Sequence, residues 1–103
     1  MTPTSSPEYR LVLSPKAQQD IENILRYTGE QWGEKQIPIY RDKLTGALEA
    51  LISNPASGHA SAELPETHRV YPVGSHVIVY RVQAEVIGVI RILHKRMSLP
   101  LNV

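Results

Sequence analysis

At 103 residues the chain has the length of one domain with a single modest core. Apolar residues make up 42% and charged residues 20%, and the net charge is only +1, so the composition is globular and the molecule is no polycation. There is no cysteine, which excludes disulfides and thiol chemistry, and no apolar run approaches the ~18 residues that would span a bilayer.

Residues 1–7 are mostly Thr, Ser and Pro and read as a loose tail. No basic region followed by an apolar one is visible near the start, so a soluble, cytoplasmic protein is expected. Residues 9–13, Tyr-Arg-Leu-Val-Leu, are short and partly alternating and predict a strand. Ser14-Pro15 then opens a helix: the serine oxygen accepts from a free backbone N–H, and proline at the first helical position loses no hydrogen bond. Ala17, Ile21, Ile24, Leu25, Thr28 and Trp32 recur at helical spacing as one face, and Gly33 supplies the stop. A second periodic run, Ile37, Tyr40, Leu44, Ala47, Leu48 and Leu51, predicts another helix ending near Ser53-Asn54-Pro55. With so short a link the two helices fold back as a hairpin, and their apolar stripes face a sheet.

After a loop rich in Ala, Ser, Gly and Pro come three runs that read as strands, 68–71, 76–82 and 85–93, the last two dominated by β-branched residues. The last two are separated by Gln83-Ala84 alone, so the three strands form a meander. A link of two residues places Arg81 opposite Val86, and one of three places it opposite Ile87; facing stays open, because one residue of slip reverses every side chain. The order is β-α-α-β-β-β. This predicts an α+β protein with an antiparallel sheet, the N-terminal helical hairpin on one face and the other face open. Residues 1–103 are expected to be one domain, with residues 97–103 as a C-terminal tail.

Chemistry-bearing motifs are sparse. There is no Gly-x-Ser-x-Gly elbow and no Gly-rich phosphate loop, and His59, His68, His76 and His94 have no metal-ligand spacing. No metal or cofactor is implied. What stands out is a basic sheet: Arg69, Arg81, Arg91, His94, Lys95 and Arg96, with Glu85 the only acid between His68 and Arg96. As residues alone, Arg81, Arg91, His94 and Arg96 are open to three uses: solvated or paired structure, partner binding, or RNA cleavage with a cation holding the phosphate charge. Trp32, Tyr9, Tyr27, Tyr40, Tyr71 and Tyr80 read as helix–sheet packing. Leu44, Leu48 and Leu51 read as core, although an outside helix could use them.

In order and spacing the chain resembles the ParE branch of the RelE/ParE toxins of bacterial toxin–antitoxin modules. The carriers are Leu13-Ser-Pro-Lys-Ala17 with Asp20-Ile-Glu22, then Tyr27, Trp32-Gly33-Glu34, Tyr40, Asn54-Pro55 and Gly58. The strongest are Arg69-Val-Tyr-Pro-Val-Gly74, His76-Val-Ile-Val-Tyr-Arg81, Ile90-Arg-Ile-Leu-His94 and Arg96. The resemblance implies the same fold and a growth-inhibiting toxin that blocks DNA gyrase as a binder and not as an enzyme. It implies a ParD-like antitoxin in a hetero-oligomer, with operator DNA met only through the antitoxin and no membrane contact. RelE-like relatives instead cut messenger RNA on the ribosome, and that is the alternative. On this reading Arg81, Arg91, His94 and Arg96 contact the target, and Trp32, Tyr40, Leu44 and Arg69 contact the antitoxin. Arg91 and Arg96 are expected to be exposed, and removable without cost to the fold. The family commonly carries an acid two places after the arginine matching Arg96, where this chain has Ser98. The exit segment is therefore expected to be looser, or ordered by a partner.

Overall fold

The computed structural model describes residues 8–103; the tail expected at 1–7 lies outside them. The elements run β1 (Arg10–Leu13), α1 (Pro15–Trp32), α2 (Gln36–Ser53), a 3-10 turn (Pro55–Ser57), β2 (His68–Val73), β3 (His76–Gln83), β4 (Val86–His94) and α3 (Leu99–Asn102). Ser14 caps α1 as its residue type requires: its Oγ accepts from Ala17 N at 3.0 Å. Gly33 ends α1 with φ +91°, a region closed to most side chains, and its N–H donates to Gly29 O at 3.0 Å. Three residues later α2 runs back beside α1, giving the hairpin that the two apolar stripes demand.

The sheet order is β1-β4-β3-β2. The meander pairs antiparallel as expected, but β1 lies parallel to β4, with Arg10 opposite Val86 and Leu13 opposite Val89, so the sheet is mixed. The helical hairpin supplies the long crossover that a parallel neighbour needs. The β3–β4 link also differs from expectation. Gln83 pairs with Val86, so the two-residue turn is Ala84-Glu85, and Arg81 faces Gly88. Ala84 takes φ +53° to make this turn.

Packing follows alternation, with one interruption. Ile78 and Tyr80 of β3 and Ile87, Val89 and Ile92 of β4 pack on Ala17 and Ile24 of α1 and on Leu44, Ala47 and Leu51 of α2. The β4 residues change parity between Val89 and Ile92 because the register slips between Val79 and Tyr80, leaving Ile90 as the extra residue of a bulge. Without that bulge Arg91 would continue the odd-numbered series into the core; with it, Ile92 goes in and Arg91 turns away. The second face, expected to be open, is covered along part of its length. Val79 and Leu93 belong to it by alternation yet are buried, and α3 packs against β4. Tyr80 anchors the loop after α2: its hydroxyl donates to Pro55 O at 2.7 Å and accepts from Gly58 N at 2.9 Å.

Two changes probe this account. Leu51→Ala, at a fully buried site, should lower the unfolding free energy by about 2–5 kcal/mol in denaturant titrations. Ala84→Gly should raise it by about 0.5–1 kcal/mol, since glycine meets the positive φ without the Cβ penalty.

Candidate functional site

The cations expected to converge do not. Arg81 is exposed on the second face opposite Gly88, and His94 lies six residues further along β4, roughly 20 Å away at strand rise. Arg96 is exposed in the turn after β4.

Arg91 is not a free cation. Its Nε donates to Asp20 Oδ2 at 2.8 Å and its Nη2 to Asp20 Oδ1 at 2.9 Å, a two-pronged ion pair from β4 to α1. Its remaining Nη1 donates to Asn102 O at 2.8 Å in α3. Asp20 Oδ2 also accepts from Ile92 N at 2.9 Å. Beyond the end of β1, side chains thus continue the ladder along β4: Ser14 Oγ donates to Ile90 O at 2.7 Å, and Asp20 takes the next free amide. The hydrogen bond to the Asp20 carboxylate holds the Arg91 pKa above its ordinary value; burial opposes it, and the carboxylate's charge adds to it. Both side chains are largely shielded, 19% and 12% exposed, so the expectation that Arg91 can be removed without cost to the fold does not hold. Among the described residues, the exit segment has one hydrogen-bonded point of attachment. Ser98 offers no acid, but Arg91 ties residue 102 to the sheet, and Asn102 Nδ2 donates to Ser98 O at 2.7 Å.

The four residues expected to meet an antitoxin also separate. Leu44 is 2% exposed in the core, so no outside helix reaches it; the apolar stripe of α2 turns inward on the sheet. Arg69 pairs across strands with Tyr80 and lines a depression with Tyr9, Asn54, Pro55, Glu66, Thr67 and Val82. Trp32 and Tyr40 lie together at the opposite end of β2 and β3, lining a hollow of about 320 Å³ with Tyr27, Gln36, Ser75, His76 and His94. A neighbouring hollow of about 370 Å³ shares Tyr27, His76 and His94, and is closed by Asp20, Arg91 and Met97. Together they form one trough between α1 and the ends of β3 and β4. Trp32 is 73% and Tyr27 58% exposed, against the expectation that these aromatics pack inside. Amphipathic aromatics left this exposed are typical of contact surfaces.

The trough floor is a chain of three rings. Tyr40 and His76 meet edge-on with centroids 5.5 Å apart, and His76 and His94 likewise at 5.3 Å. Tyr40 Oη lies 2.5 Å from His76 Nδ1 and accepts from Ser75 N at 3.2 Å. Burial, reinforced by His94 and opposed by Asp20, pushes the His76 pKa down to about 4. The imidazole is therefore neutral, and its Nδ1 and the Tyr40 hydroxyl share one hydrogen bond whose direction follows the tautomer, with Val73 O at 3.4 Å as a second acceptor for the hydroxyl. Burial pushes the tyrosine pKa upward in turn. Gly74 makes the close turn possible: its φ is +55°, and a Cβ there would sit 2.7 Å from Tyr40 Oη. His94 Nδ1 accepts from Arg96 N at 3.1 Å, which fixes the ring at the rim. Among the described residues no group of three or more His, Cys, Asp or Glu side chains could hold a metal ion. The arrangement is suited to receiving a partner's side chains.

Sequence reasoning missed Asp20, His76 and Met97 as parts of the site. Asp20 had a signal: it falls three residues after Ala17 and four before Ile24, inside the apolar stripe, where an acid needs a partner.

His76 predicts a pH dependence. A histidine whose folded pKa is depressed leaves the unfolded chain binding more protons between that value and the ordinary 6.5. Stability should fall as pH drops from about 6.5 to about 4 and gain no further loss from this group below that. Melting curves of the protein and of His76→Gln across that window check it: the variant should lose this part of the slope.

A model of the family described as "ParE toxin of type II toxin-antitoxin system, parDE" matches residues 11–99. The chain is 38% identical over 94 residues to "Toxin ParE1" of Mycobacterium tuberculosis, covering 90% of this chain and 96% of that one. It is 34% identical over 86 residues to "Toxin ParE1" of Caulobacter vibrioides, covering 84% and 88%. A chain of the solved "Chromosomal ParDE TA system from P. aeruginosa" superposes with a TM-score of 0.75 at 19% identity, covering 86% of this chain and 98% of that chain, which speaks for the fold.

Proposed function

The chain belongs to the ParE toxin family of type II toxin–antitoxin systems, and from that premise we propose that it arrests growth by docking on DNA gyrase and is silenced by a ParD-like antitoxin. The carrying observation is the family match over residues 11–99 together with relatives named ParE toxins along nearly their whole length. The site supports docking over cleavage. Arg81 stands far from His94 and Arg96, and Arg91 is neutralised by Asp20, so the cations are not gathered around one reacting phosphate. The trough instead offers exposed aromatic and apolar side chains beside the exposed cations Lys95 and Arg96.

On this reading Trp32 and Tyr40 belong to the antitoxin contact, with Arg69 at its far end. Arg96 and His94 meet the target, with Arg81 reaching it across the second face. The module works in the cytoplasm as a toxin–antitoxin hetero-oligomer, and operator DNA is met through the antitoxin alone. No described helix is long and apolar enough to cross a membrane.

Purified gyrase should lose supercoiling activity at micromolar toxin and regain it when the antitoxin is added. Undiminished supercoiling, with messenger RNA cut in a translation extract, would instead establish the ribosome-dependent nuclease. Arg96→Ala should weaken growth arrest while shifting stability by less than about 0.5 kcal/mol, since its side chain is exposed.

A further inference from the structure

We propose that Asp20 is a positioning residue for the exit segment: it fixes the guanidinium fork of Arg91, and the fork holds residues 98–103 against the sheet. Little else described does so. The helix α3 has four residues and none of them is buried, and Leu101 is 86% exposed. A helix that short is not stable by itself, and its packing on β4 fully buries none of its own side chains. Its other described hydrogen bonds are internal: Val103 N donates to Leu99 O at 3.0 Å, and Asn102 Nδ2 to Ser98 O. Among the described residues, the one hydrogen bond joining residues 98–103 to the rest of the chain is Arg91 Nη1 to Asn102 O.

The geometry needs an arginine in particular. Nε and Nη2 are spent on the two oxygens of Asp20, which fixes the guanidinium plane and aims Nη1 at α3. A lysine ammonium keeps the charge, but it is a single point and cannot span both partners. Asp20, 71 positions from Arg91 in sequence, is itself held by Ile92 N, so the aim of the fork is set by α1 and by the β4 backbone next to Arg91. Asp20 and Arg91 themselves line the trough, together with Met97, and the segment so fixed starts at the residue after Met97, at the trough's rim. Asp20 thus shapes a contact surface through another residue, and preorganising a rim before binding spares the ordering cost at binding.

Backbone ¹⁵N relaxation on the full chain tests this with Arg91→Lys and Asp20→Asn. In the unaltered protein the order parameters of residues 99, 101 and 102 should stand at about 0.85, like the sheet, and in both variants they should fall below about 0.6. In Arg91→Lys the Ile92 amide should stay protected from exchange, because its acceptor Asp20 remains. Order retained at 99–102 in Arg91→Lys would show that charge alone suffices and overturn the fork. Loss of order through the whole sheet would overturn a positioning role in favour of a merely structural one. A segment already mobile in the unaltered protein would overturn it as well. The functional half rests on the toxin reading: Arg91→Lys, folded but with a released segment, should arrest growth less than the unaltered chain. Equal arrest by both overturns that half. If the unaltered chain arrests nothing, the toxin reading itself fails, and the relaxation result is left standing.

Discussion

A single carboxylate, Asp20, joins the three parts of this protein that sequence keeps apart. It sits in α1, it takes a backbone amide of β4, and it grips the guanidinium that reaches α3. Two charges this shielded are tolerable only when paired and fully hydrogen-bonded, and here every prong has its partner. The bulge at Ile90 is the complementary condition. It lifts Arg91 off the core face while keeping Ile92 on it, so that a cation next to the core meets an acid at the strand edge and not the apolar layer.

Around that junction the molecule divides its surface by chemistry. The sheet's inner face and the helical hairpin make the core, with Tyr80 tying the loop after α2 into it. At the end where β3 and β4 meet α1, the same framework leaves Tyr27 and Trp32 exposed beside three rings in edge-to-face contact. Burial disfavours charge on the His76 imidazole and the Tyr40 phenol, and the exposed cations Lys95 and Arg96 stand at the rim. Two neutral rings beside a cationic lip favour a partner that brings apolar side chains together with acids, and the charge acts mainly on encounter and register.

The element order was legible because each element is announced locally. Ser14-Pro15 opens α1, Gly33 closes it, two stripes at helical spacing give the hairpin, and three runs that read as strands give the meander. The residues carrying the family likeness were legible for the same reason. What was not legible turns on relations that cross the fold. The parallel pairing of β1 depends on which edge the hairpin delivers it to. The facing of Arg91 depends on a bulge that has no mark in the run Val-Ile-Gly-Val-Ile-Arg-Ile. The turn at Ala84-Glu85 carries no glycine or asparagine to show its place, because Ala84 accepts a positive φ. Trp32 falls on the apolar face by spacing, but it stands at the last residue of α1, past the edge of the sheet it was expected to cover. Leu44 shows the reverse: its stripe pointed to the core, and the core is where it lies.

The direct measure of this account is a double-mutant cycle between Asp20→Ala and Arg91→Ala by equilibrium unfolding. Independent sites add to within about 0.3–0.5 kcal/mol, whereas members of one charged network couple by up to about 3 kcal/mol. If the ion pair joins the helix layer, the sheet and the exit segment, either single change should cost nearly as much as both together, with a coupling above about 1.5 kcal/mol. Additive losses would contradict it and leave the junction as three contacts that merely lie side by side.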